Sequence, residues 1–312
     1  MKKLFEVPRE KCCRVIICSD TKIEADDQYA IVHALLTPSF IIEGIVATHF
    51  SKSSSVKNGY VNGSTMEKSY DEIIKILKLM DLKDAIPVYH GAETYLQEND
   101  VSIKSEGASF ILEKSKEKSD LPLYILCLGA ITDLACAYLL EKNIEDKFTI
   151  LWIGGNNYPK GGAECNLSQD IIAANIIFSS NISLWQIPLQ AYRNIRVSIA
   201  ELLLKVKPFG EIGNYLYKQL IEFNNERAKT EKWLKGESWC LGDSLAISLL
   251  IDEDIGCYSM QKAPFVLDDC TYVSNESNEN NRLILVYDYV DSRFTLEDFF
   301  SKLELYTKQN NF

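Results

Sequence analysis

Histidine is scarce: the chain has three in 312 residues, at His33, His49 and His90. No Ser/His/Asp order stands out around them, so a nucleophilic triad is not indicated. There is no CxxC pair at zinc spacing, although cysteine itself is plentiful. A glycine-rich phosphate loop is missing, which argues against a phosphate-handling enzyme. No run of about 18 apolar residues occurs, so no membrane-spanning helix is expected. Met1-Lys2-Lys3-Leu4 has no apolar stretch of the secretory kind behind it, and a cytoplasmic location is the expectation. Positive charge is short too: 33 Lys and Arg stand against 44 Asp and Glu, a formal net charge of -11. Such a surface disfavours nucleic acid and anionic membrane as partners. It allows a small neutral ligand and favours a bound cation.

What is present is an ordinary globular composition, 46% hydrophobic and 25% charged. That suffices for one large α/β domain over residues 1–312. The nine cysteines are odd in number, and several sit in apolar runs such as Leu126-Cys127-Leu128. They read as small buried thiols in a reducing compartment. Short apolar runs at 15–18, 42–47, 87–89, 124–128, 149–153, 184–188 and 282–290 read as strands. Helical spacing falls between them at 26–36, 65–80, 109–115, 132–140, 168–178 and 198–225. A cap at Thr295-Leu296-Glu297-Asp298 announces a last helix. Residues 51–66 form a polar loop of the kind that serves as a lid. The alternation predicts a mostly parallel, doubly wound central sheet flanked by helices. Ligands of such sheets bind beyond the carboxyl ends of the strands, so polar residues just after each strand are the informative ones.

Asp20, Glu24, Asp26 and Asp27 put four carboxylates within eight residues, between the first strand and the first helix. Like charges so close are costly unless neutralised. A helix N-terminus offsets part of that cost, and a hard divalent cation offsets more. Calcium, with six to eight oxygen ligands in tolerant geometry, suits an all-oxygen cluster. Taken alone, an acidic turn is more often a solvated one, with Asp26 as a helix cap. The buried strand before it and the apolar Tyr29-Ala30-Ile31-Val32 after it make that reading weaker here.

The stretch Cys18-Ser19-Asp20 … Asp26-Asp27 resembles the N-terminal aspartate motif of nucleoside hydrolases. There a strand ends in Asp-Thr-Asp and an Asp-Asp pair opens a helix. Asp20 matches the last aspartate of the triplet, with Cys18 in place of the first and an intervening loop two residues longer. An ungapped alignment would instead set Lys22 at the base position; the strand running into Cys18-Ser19-Asp20 favours the gapped one. Four more segments resemble the family in order. They are Ile86-Pro87-Val88-Tyr89-His90-Gly91-Ala92, Leu128-Gly129-Ala130-Ile131-Thr132-Asp133-Leu134-Ala135, Gly154-Gly155-Asn156 with Ala163-Glu164-Cys165-Asn166, and Trp239-Cys240-Leu241-Gly242-Asp243-Ser244-Leu245-Ala246.

The resemblance implies calcium-dependent hydrolysis of the N-glycosidic bond of ribonucleosides in purine and pyrimidine salvage, by a homo-oligomer, dimer or tetramer. It implies calcium ligands at Asp20, Asp27, Asp243 and the Thr132 carbonyl, and Asp20 as general base. It implies ribose held by Asp26, Asn156, Glu164 and Asn166. Trp239 or Trp233 is a candidate to stack on the base, and His49, just past a strand, is a candidate lining residue. Gly242 stands where some members carry a histidine that protonates the leaving base. With Cys18 and Lys22, that departure keeps open a catalytically impaired or differently specific relative that only binds a ribosyl ligand.

Overall fold

The computed structural model describes residues 3–59, 61–97, 104–274 and 282–310. Met1 and Lys2 of the N-terminal segment, and Tyr60 with the side chains of Ser54 and Ser55 in the polar loop, lie outside the described residues.

The first strand, β1 (Cys13–Ser19), is buried along its whole length, as expected of a parallel strand covered on both faces. Its side chains alternate between two cores: Val15 and Ile17 join one, Ile16 and Cys18 the other. The strands that follow are β2 (Phe40–Ala47), β3 (Val88–His90), β4 (Leu123–Cys127), β5 (Thr149–Ile153) and β6 (Ser183–Ile187). Then come β7 (Arg196–Ser198), β8 (Ser238–Cys240), β9 (Gly256–Lys262), β10 (Pro264–Val266), β11 (Tyr272–Ser274) and β12 (Leu283–Val290).

Among the described residues, eight of these form one sheet in the order β3-β2-β1-β4-β5-β6-β12-β9. All neighbours are parallel except β12 and β9. The expected doubly wound, mostly parallel sheet is the one observed. Strand order reverses between β1 and β4, where Cys18 sits beside Cys127. The crevice beyond the carboxyl ends of those two strands is the natural ligand position of such a sheet.

Several boundaries differ from the sequence reading. The helix expected over 168–178 is two, Cys165–Gln169 and Ile171–Ser179, because Asp170 breaks the first and caps the second through Ala173 N–H. The long helix expected over 198–225 begins with β7 and splits into Ile199–Lys205 and Gly210–Arg227 around Pro208, with Gly210 at φ +72°. The last helix is Ser292–Asn310, one turn earlier than expected, with the Asp291 carboxylate accepting from Phe294 N–H. No helix among the described residues is long and apolar enough to cross a membrane.

Candidate active site

Asp20 follows β1 directly, and both of its carboxylate oxygens are buried without a hydrogen-bond partner. The loop after it is fastened rather than free. Gln28 donates to the Thr21 carbonyl (2.6 Å), Thr21 Oγ1 to the Ser69 carbonyl (3.0 Å), and Gln219 to the Ala25 carbonyl (2.9 Å). Lys22 is turned outward, 41% exposed, with Nζ 3.3 Å from Glu72. Asp20, not Lys22, lines the crevice. The loop delivers Asp26 as the residue capping helix Asp27–Leu35. Ser19 Oγ donates to Asp27 Oδ1 at 2.6 Å. Asp243, far away in sequence, arrives at the head of helix Ser244–Ile251.

Asp26, Asp27 and Asp243 each offer an oxygen, and these lie within 4.8 Å of one another. Oxygens bound to a calcium ion at about 2.4 Å can be at most about 4.8 Å apart, so the triplet fits such an ion. Asp20 lines the same cavity, although it is not in the triplet. Close approach there depends on Gly129, where a Cβ would come within 2.7 Å of the Asp20 carboxylate and of Thr48 Oγ1. Burial is the largest influence on every carboxyl of the cluster and raises its proton affinity; neighbouring carboxylates add to this at Asp20, Glu24, Asp26 and Asp243, whereas hydrogen bonds with Ser19 and Asp243 lower it at Asp27. Asp20, Asp26 and Asp243 are pushed well above the usual carboxylate range, Asp27 to about 6 and Glu24 to about 7. A cation bound among them would offset both effects by favouring the charged carboxylates.

On the far wall stand Glu164 and Asn166. Glu164 Oε1 accepts from Asn166 N–H (3.1 Å) and the Tyr192 hydroxyl (2.8 Å); Oε2 accepts from Gly155 N–H (2.8 Å) and Leu167 N–H (2.9 Å). Asn166 spends both amide hydrogens on the carbonyls of Leu128 and Ile153, at 2.7 and 2.9 Å. Toward a ligand it can therefore only accept, through Oδ1.

Four expected residues are placed elsewhere. Thr132, expected to offer its backbone carbonyl, opens helix Thr132–Leu140 and is not among the residues lining the cavity; its hydroxyl donates to Asp170 and pairs with His49. From that motif it is Leu128, just past β4, that lines the cavity, and its carbonyl accepts from Asn166. His49 is fully buried between Thr132 and Ser51, and burial lowers its pKa to about 3. Asn156 bonds the Ala163 carbonyl and shapes its own loop. Trp239 is a core residue, edge-on to Phe223 and Trp233.

Trp233, by contrast, is 46% exposed and lines a second, narrow cleft with Phe223, Arg227 and Glu231. Ile23, Glu24 and Cys165 line both cavities, so the two adjoin. Ser53, in the polar loop, also reaches the second cavity, which puts the start of that loop at the ligand edge. There Lys52 is tied down by Gln169 (2.9 Å) and lies 3.6 Å from the centre of the Tyr95 ring. Leu128 carried no signal in the sequence because a backbone carbonyl has no residue signature. Tyr192 could have been found, since it stands in the first turn after β6.

The fold is shared with solved nucleoside hydrolases. A purine-preferring ribonucleoside hydrolase from Gardnerella vaginalis is 19% identical with a TM-score of 0.76, over 95% of this chain and 99% of that one. A plant nucleoside hydrolase is 19% identical, with a TM-score of 0.72 over 94% and 99%. An inosine-guanosine nucleoside hydrolase is 17% identical, with a TM-score of 0.70 over 93% and 98%. No curated protein matches the chain. The family model for inosine-uridine preferring nucleoside hydrolases matches residues 15–289, from the first strand of the sheet to the last. The chain therefore belongs to the inosine-uridine preferring nucleoside hydrolase family, enzymes that hydrolyse the N-glycosidic bond of ribonucleosides.

Proposed function

We propose that this chain hydrolyses ribonucleosides to free base and ribose with a calcium ion at the carboxylate cluster and Asp20 as general base. The observation that carries this reading is the Asp20 carboxylate. Both oxygens are buried and unpartnered, beside three further carboxylates that converge within 4.8 Å. A buried carboxylate left in that state is costly, and it persists where a function requires it.

Asp26, Asp27 and Asp243 would hold the ion, with Asp20 and the Leu128 carbonyl beside them. When bound, it supplies positive charge that makes a nearby water more acidic and easier to align. The chain's own residues do the rest. Asp20 takes a proton from the attacking water. The water oxygen bonds to the anomeric carbon while the bond to the base nitrogen breaks and its electron pair leaves with the base. Flanking carboxylates stabilise the oxocarbenium-like state in between. Glu164 and Asn166 fix the sugar by accepting from its hydroxyls. The base extends into the adjoining cavity, against Trp233 and Phe223.

Ribose release from inosine, guanosine, adenosine, uridine and cytidine, with calcium present, tests the reading. Turnover of at least one of them is expected. Tight nucleoside binding with no ribose released would replace it with a binding protein.

A further inference from the structure

Glu164 already accepts four hydrogen bonds, two on each oxygen. A carboxylate has about four lone-pair positions, so no position is left over for a sugar hydroxyl. Three of the four donors are backbone N–H groups, of Gly155, Asn166 and Leu167. Those of Asn166 and Leu167 are fixed by the helix that Glu164 caps. The fourth is the hydroxyl of Tyr192, the one donor that a bond rotation or a small ring shift can withdraw. A ribose hydroxyl that binds Glu164 must displace it.

The displaced hydroxyl stays inside the site. Tyr192 lines the carboxylate cavity. Its hydroxyl feels the charges of Glu164, Cys165 and Glu24, which with burial keep it protonated and hence a donor. Glu24 and Cys165 are the residues at which the carboxylate cavity opens into the aromatic one. A nucleoside with its sugar at the carboxylates and its base at Trp233 must pass its glycosidic bond through that junction. Gly242 makes the arrangement possible: a Cβ there would meet the Tyr192 ring at 2.8 Å. The ring thus fills the space that any side chain at 242 would need.

We propose that Tyr192 is a catalytic residue that moves its hydroxyl hydrogen bond from Glu164 to the departing nucleobase when ribose binds. The inference rests on the nucleoside-hydrolase reading above. In the empty site Tyr192 satisfies Glu164. In the occupied site a ribose hydroxyl does so, and Tyr192 donates to a ring nitrogen or carbonyl of the base as negative charge builds there. A donor placed where charge develops stabilises the transition state more than the ground state.

The test is Tyr192→Phe, assayed with ordinary nucleosides and with 4-nitrophenyl riboside, whose leaving group needs no donor. With nucleosides, kcat should fall about a hundredfold. KM should stay level or drop, because ribose no longer competes for Glu164. With 4-nitrophenyl riboside the variant should keep kcat within about threefold of the parent, since no donor is lost from that transition state. A melting temperature matching the parent's excludes misfolding as the cause. Equal losses on both substrates would overturn the proposal, as would a raised KM at constant kcat, the signature of a tyrosine that only steadies Glu164. If the unaltered protein releases ribose from neither substrate, the nucleoside-hydrolase reading falls, and this inference with it.

Discussion

At the residue scale the site turns on how much negative charge is buried with nothing opposite it. Asp20 has no partner at either oxygen, and its nearest influences are burial and Asp27. Asparagine in its place keeps the shape but cannot take the water's proton. Asp20→Asn should lose about a hundred- to ten-thousand-fold in kcat at saturating calcium, with the fold intact by circular dichroism. Without calcium at neutral pH the variant should melt higher than the parent, because one uncompensated carboxylate is gone. Retained activity would move the base elsewhere, with Glu24 the next residue to test. Lys22→Ala makes the opposite case. Its partner Glu72 sits buried on helix Thr65–Leu79, and Lys22 itself is 41% exposed. The substitution should leave kcat unchanged and cost less than about 1 kcal/mol in a denaturant titration. A loss of activity matching that of Asp20→Asn would favour the ungapped alignment of the motif.

At the scale of the elements, the ends of β1 and β4 decide where the chemistry sits. Gly129 closes the turn after β4, and a methyl group there would push into Asp20 and Thr48. Gly129→Ala should therefore displace Asp20 and lower kcat/KM by about a hundredfold, with weaker calcium binding by calorimetry. Unchanged affinity and turnover would mean that the turn has slack. The strand ends were legible in the sequence because buried parallel strands are continuous apolar runs and the residues after them are conspicuously polar. Asp20, Asp26, Asp27, Glu164, Asn166 and Asp243 all stand at such ends or at the helices that follow, and they converge on one cavity. What the sequence hid has physical causes. Thr132 sits in the right motif, but it stands inside the helix that follows, and Leu128 just past β4 lines the cavity instead. Trp239 and Trp233 look alike as residues and differ only in burial, 2% against 46% exposed. Tyr192 was findable by its position just after β6, but its contact with Gly242 is a pairing that no local pattern reveals. The mostly exposed β9 gave no apolar run to read.

At the scale of the whole molecule, the formal net charge is -11, and Asp20, Glu24, Asp26, Asp27, Glu164 and Asp243 line one cavity at the switch point of the sheet. Asp27 is raised to about 6 and Glu24 to about 7, both chiefly by burial. Folding therefore raises their proton affinity above the ordinary unfolded value near pH 4. At these two carboxyls the folded chain binds more protons than the unfolded one between about pH 4 and pH 7, so their contribution to stability falls as pH rises through that window; His33 and His49, which burial lowers to about 4 and about 3, act in the opposite sense over its lower part. In calorimetric scans without calcium, the melting temperature should drop from pH 4 to pH 7. Saturating calcium, which binds the deprotonated cluster, should lessen or abolish the drop. A calcium-independent profile would place the ion elsewhere.

The central claim is that catalysis needs a cation at this cluster. It is tested most directly by titrating calcium into chelator-stripped protein while ribose release from inosine and uridine is followed. The account predicts negligible release at the start and a rise that saturates as one ion per chain binds, with Asp243→Asn shifting the curve to much higher calcium. Full ribose release in excess chelator, or calcium binding at the cluster with no effect on ribose release, would contradict it.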